Sequence, residues 1–120
     1  MNADPVDGGS VPGAISQLLE HPKVDASFIP TSRGASEASK VQGGANNAQK
    51  GRAEHDTADF DDRSVGNLRA DYVLPSKVLT ILGGGVFWPA SSDPLARLVV
   101  MTPTAASSDH RLVYLDVKAP

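Results

Sequence analysis

The sequence predicts an α+β fold in one small domain of 120 residues, and three observations carry that expectation. A stretch near the N-terminus has helical period, a long central stretch has neither period nor bulk, and the C-terminal half holds short apolar runs cut by proline and glycine. The length admits one core and leaves no room for two. Fewer than one residue in four is Val, Ile, Leu or Phe, so that core is thin.

Taken in order, Ser10 is a good N-cap and Pro12 falls in the first turn, while Val11, Ile15, Leu18 and Leu19 recur at helical spacing. This predicts one N-terminal helix over 11–20, ended by His21-Pro22 because the residue before proline avoids helical geometry. An imidazole at that end suits the helix dipole. From Pro30 to Asp59 only Val41 is a large apolar residue. Residues 35–40 could form a short helix, yet residues 30–66 as a whole read as a long, mobile surface loop, since they bury too little to offset their ordering entropy. Beyond Gly66, Tyr72-Val73-Leu74 predicts a short strand and Val78 to Leu82 a second apolar run. Gly83-Gly84-Gly85 reads as a hairpin turn, and Val86-Phe87-Trp88 as a strand stopped by Pro89, with Trp88 in the core. Leu98 to Met101 is a further candidate, and Leu112 to Val117 is the strongest strand signal. Four to five mostly antiparallel strands result. Their near-continuous apolar runs suggest cover on both faces, which one helix cannot supply, so they are expected to pack against something this chain does not contain.

Composition excludes several chemistries. The net charge of −3 rules out a strongly basic nucleic-acid footprint. With no cysteine, disulfides, thiolate zinc sites and cysteine nucleophiles drop out together. No apolar run approaches the length of a membrane span, and residues 1–9 are too acidic and polar for a signal peptide. Asp56, Asp59, Asp61 and Asp62 do not match the spacing of a calcium loop and read as a solvated acidic loop. Gly83 to Gly85 lacks the lysine and hydroxyl of a phosphate-cradling loop. Arg33, Lys40, Lys50 and Arg52 give the central stretch a modest positive bias that serves solubility.

Of three histidines, His55 reads as solvated, and His110 stands apart. It lies in Ser107-Ser108-Asp109-His110-Arg111, directly before the best strand, where an imidazole held in one tautomer by an acid can serve as a general base. Asp71 opens the Tyr72 strand, and burying it there is costly without a partner. If the two strands are neighbours, Asp71 pairs with His110; taken alone it is a turn residue or a partner for Arg69.

Arg69-Ala70-Asp71-Tyr72-Val73-Leu74-Pro75-Ser76, followed later by Ser108-Asp109-His110-Arg111-Leu112-Val113, resembles the C-terminal part of the endonuclease/exonuclease/phosphatase superfamily. Asn2-Ala3-Asp4-Pro5 resembles the end of that family's Gly-Asp-x-Asn signature, and Asp56 to Phe60 with Gly66 to Arg69 is similar to its bacterial, often secreted branch. The resemblance implies the C-terminal half of a four-layer αββα sandwich. It implies in-line hydrolysis of phosphodiester or phosphomonoester bonds with Mg2+ or Mn2+. His110 would be the base or phosphate-contacting imidazole, Asp71 its orienting carboxylate, and Asp109 a metal ligand or its neighbour. Asn2 would contact phosphate or position the attacking water, with Arg69 as a further substrate contact. The family's metal-binding glutamate, an early histidine and the aspartate two places before Asn2 have no counterpart, and Glu20, Glu37 and Glu54 do not replace them. The expectation is therefore a partial domain, dead or very weak alone, whose partner is the missing N-terminal half or a second copy. Its substrate (nucleic acid, lipid or sugar phosphate) stays undecided. Localisation is unassigned by this chain and extracellular if it follows that branch. The alternative reading is a non-catalytic α+β interaction or structural domain.

Overall fold

The computed structural model describes residues 2–99 and 108–120. Its architecture is α+β, with few helices and two small antiparallel sheets. Helix α1 spans Ser16–Leu19 and α2 spans Arg33–Gln42. Short 3-10 turns cover Gly44–Ala48, Ala53–His55 and Pro94–Leu98. Strands β1 (Ala58–Asp59) and β2 (Asn67–Leu68) form one pair, and β3 (Thr80–Val86) and β4 (Val113–Lys118) form the other.

The predicted helix over 11–20 contracts to α1, because Gly13 sits at φ +76° and breaks the entry that Ser10 and Pro12 were expected to open. Ile15 is its buried anchor at 2 % exposure. His21 does not cap that helix; its Nδ1 accepts from the Lys23 N–H at 3.2 Å, closing the turn that follows.

The stretch 30–66, expected to be a loop, instead holds α2, two 3-10 turns and β1. Ser32 caps α2 by accepting from the Ala35 N–H at 3.2 Å. The helix buries Gly34, Ala35 and Ser39, all small, and leaves its one bulky apolar residue, Val41, exposed. Small side chains allow the backbones to touch. The Gly34 N–H donates to the Trp88 carbonyl at 3.0 Å, and a Cβ on Gly34 would collide with the Trp88 and Pro89 carbonyls. Ala35, Val86 and Trp88 form the apolar centre there, so Trp88 is core as expected.

The rest of that region is held by amides. Asn46 accepts from the Asn67 N–H at 2.7 Å and donates to Asp62 at 2.9 Å. Gln42 donates to Asp59 at 2.7 Å and accepts from the fully buried Asn67 side chain at 2.8 Å. Gln49 donates to the Val65 carbonyl at 3.0 Å and also to that of Asn67. Gly66, at φ +67°, faces Asn46 so closely that no side chain fits.

Three strand expectations fail. Residues 72–74 form no strand; only the bridge Val24–Ser76 forms nearby among the described residues. Gly83 to Gly85 is no turn: all three lie inside β3, paired with Asp116, Leu115 and Tyr114 past a bulge between Ile81 and Gly83. A Cβ at Gly84 would meet the Tyr114 carbonyl, and at Gly85 the Tyr114 ring fills that space instead. Only Val86 of the expected 86–88 strand belongs to β3. Leu98 ends a 3-10 turn rather than opening a strand, while Val100 and Met101 lie outside the described residues. The final strand forms as Val113–Lys118. Leu82 and Leu112, each 66 % exposed, and Tyr114 leave this ribbon with uncovered apolar surface.

Candidate functional site

Two chain segments converge on one imidazole. Arg111 N–H donates to the Thr57 carbonyl at 2.8 Å, the Asp59 N–H donates to the Asp109 carbonyl at 2.9 Å, and Ala58 bridges His110 in antiparallel fashion. These bonds lay the segment before β4 along β1. The same β1 lead-in supplies Thr57, whose hydroxyl accepts from the Ala70 and Asp71 amides at 2.9 Å each. With both lone pairs occupied, its proton points to Asp71 Oδ2, 3.0 Å away.

His110 Nδ1 lies 2.8 Å from that same Oδ2, so the pair expected from sequence is in contact across 39 positions. A carboxylate that already accepts the Thr57 proton has none to give, so Nδ1 is the donor and Nε2 of the neutral ring keeps its lone pair. The side chains are 29 % and 28 % exposed, which leaves the imidazole within reach of a solute. Phe60 stands edge-on to the ring, centroids 5.4 Å apart. Together these contacts fix the ring in two directions.

The other expected site residues are less closely joined. Asp109 is half-buried beside the Asp59–Arg111 pair, and its charge reaches both members. Arg69 does not pair with Asp71. Its guanidinium lies 4.6 Å over the Tyr72 ring, and burial lowers its pKa. Asn2 is exposed; its carbonyl accepts from the Ser10 hydroxyl at 3.4 Å, and its side chain bonds neither Asp71 nor His110. A Mg2+- or Mn2+-type ion takes about six oxygen donors. Among the described residues no group of three or more acidic or imidazole side chains gathers, and the two oxygens of Asp109 would leave most of that donor set to other groups.

Four residues to which the sequence reading gave no role at the site shape the region. Thr57, 2 % exposed, is one. Arg111 is another: its side chain is 2 % exposed, pairs with Asp59 at 3.1 Å and lies 4.5 Å over Trp88, while its Nε has no partner among the described residues. Burial raises the Asp59 pKa against the opposing Gln42 bond and Arg111 charge. Asp4 is the third, accepting from the amides of Val6 and Asp7 at 2.7 Å and from that of Arg69 at 2.8 Å. Asp56 is the fourth. It belongs to the expected solvated acidic loop yet is 6 % exposed, and its Oδ2 has no partner among the described residues. Burial, then the charges of Asp4, Asp7 and Glu54, push its pKa up to about 7. Its conversion from loop acid to buried acid could be read only from neighbours distant in sequence. His55 is likewise only half-exposed, its Nδ1 3.3 Å from the Pro30 carbonyl.

Comparisons with protein-family models, curated proteins and solved structures found no match for this chain.

Proposed function

We propose that the chain contributes the imidazole–carboxylate part of a phosphoester hydrolase site. The observation that carries this reading is the 2.8 Å contact between His110 Nδ1 and Asp71 Oδ2, with no partner for Nε2 among the described residues. In this reading Nε2 takes a proton from water as the water oxygen bonds to phosphorus. The bond to the leaving oxygen breaks in line, and the imidazolium returns the proton to that oxygen. Asp71 faces the imidazolium throughout and stabilises it. Phosphodiesters or phosphomonoesters are the substrates, and the half-sandwich layering and extracellular setting belong to the same resemblance. The charge that a Mg2+-class ion would neutralise needs donors beyond Asp109. The exposed Leu82, Leu112 and Tyr114 favour a second reading, a non-catalytic α+β interaction module.

The test uses bis(p-nitrophenyl) phosphate, with and without Mg2+, followed by p-nitrophenolate release and by the His110 imidazole resonances. Binding shifts at His110, with slow release abolished in His110→Ala and lowered at least tenfold in Asp71→Asn, are expected. No shift at His110, or release that survives His110→Ala, overturns the hydrolase reading.

A further inference from the structure

We propose that Arg111 is a positioning residue that sets the tautomer of His110 by clamping the backbone that carries it. The inference rests on the reading of His110 as a base, and it concerns the residue beside it, which no part of that reading assigns.

The guanidinium is a planar fork whose arms diverge at fixed angles. One arm, NH1, donates to the Ser108 carbonyl at 2.7 Å, two residues before the imidazole. The other, NH2, meets Asp59 Oδ2 at 3.1 Å on β1. The face of the fork rests on the Trp88 ring, 4.5 Å from its centroid. Three elements thus meet one rigid group: the loop before β4, β1, and the end of β3. The backbone closes the same circuit through Asp59 N–H to the Asp109 carbonyl and Arg111 N–H to the Thr57 carbonyl.

Two other roles fail on the observations. At 2 % side-chain exposure Arg111 cannot touch a solute, so it does not bind substrate as a phosphate-contacting arginine would. As a stabilising ion pair it is also poorly chosen. Buried pairs are often matched or bettered by apolar residues of similar volume, and here Nε is left without a partner among the described residues. Geometry accounts for a buried fork better than stability does: it fixes Ser108, Asp109 and His110 relative to β1, from which Thr57 directs the Asp71 carboxylate. If the loop moves, Nδ1 leaves Asp71 and the neutral ring reverts to the Nε2–H form favoured by a solvated imidazole. Nε2 is then no longer a base.

The experiment reads the two imidazole nitrogens of His110 by two-bond proton–nitrogen correlation through a pH titration of the full chain. Arg111 is replaced in two ways. Asp59→Asn combined with Arg111→Met removes both charges, keeps an apolar stem over Trp88 and leaves no buried ion alone. Arg111→Lys keeps a charge for Asp59 but has no second arm for Ser108. In the wild type the neutral ring is expected to be mainly Nδ1–H. In the folded double variant Nε2–H should become the major form, while far-UV circular dichroism stays unchanged. In Arg111→Lys the change should be partial. A folded double variant with the wild-type tautomer overturns the proposal. If the double variant does not fold, a wild-type tautomer in Arg111→Lys overturns it equally. Tautomer changes as expected, with no shift of the His110 resonances on adding bis(p-nitrophenyl) phosphate, would sink the hydrolase reading alone.

Discussion

The amide-laced region from Gln42 to Leu68 and the β3–β4 ribbon solve the problem of a thin core in opposite ways. In the first, Gln42, Asn46, Gln49 and Asn67 replace apolar packing with directed hydrogen bonds to backbone and to acids. In the second, backbone pairing runs along the ladder past one bulge, while Leu82, Tyr114 and the adjoining Leu112 are exposed. A buried polar network loses heavily when one member goes, because its partner is left unsatisfied in a poorly solvated place. An uncovered apolar residue loses little, since water already touches it. Stability is therefore concentrated in the region with the fewest hydrophobic residues.

Substitutions can break that contrast. The largest effect is expected for Asn46→Ala, which orphans the buried Asn67 N–H and the facing Asp62 carboxylate; urea unfolding should register a loss of about 3 kcal/mol. Next comes Gly34→Ala, which drives a methyl into the Trp88 and Pro89 carbonyls and should cost about 2 kcal/mol by the same measurement. Asp56→Asn sharpens the comparison through pH. The folded Asp56 pKa of about 7 exceeds its ordinary value of 3.8, so between those values the folded chain holds a proton that the unfolded chain has lost. Stability should fall as pH rises through that window, and the slope should flatten in Asp56→Asn, which gains on the wild type above pH 7. The gain is bounded by about 1.4 kcal/mol for each pH unit separating the folded and unfolded values, and thermal melts at pH 5 and pH 8 would read it. The smallest effect belongs to Leu82→Ser, within about 0.5 kcal/mol of wild type, with reduced binding of a hydrophobic dye. If Leu82→Ser proved more damaging than Asn46→Ala, the contrast would be reversed.

The Asp71–His110 contact was legible because a carboxylate and an imidazole each stand beside apolar residues where an unpaired charge is costly. The strand expected to carry Asp71 is absent, however, and the Thr57 hydroxyl, accepting from the Ala70 and Asp71 amides, holds that backbone instead. Helix α2 was illegible to a search for bulky periodic residues, because it packs by the absence of bulk at Gly34 and Ala35. The glycines of β3 misled for the related reason that Tyr114 supplies the side chain that Gly85 lacks.

By itself the sequence determined the α+β class, the C-terminal strand and the burial of Trp88, and offered the meeting of Asp71 with His110 as one of its alternatives. Each follows from local pattern or from the cost of an unpaired charge. Tertiary structure alone decided that residues 30–66 are ordered, that Arg111 and Asp56 lie inside, and that Thr57 feeds the carboxylate. Those outcomes depend on amides, hydroxyls and guanidinium arms finding partners far along the chain, and such directional bonds leave no periodic trace in the order of residues.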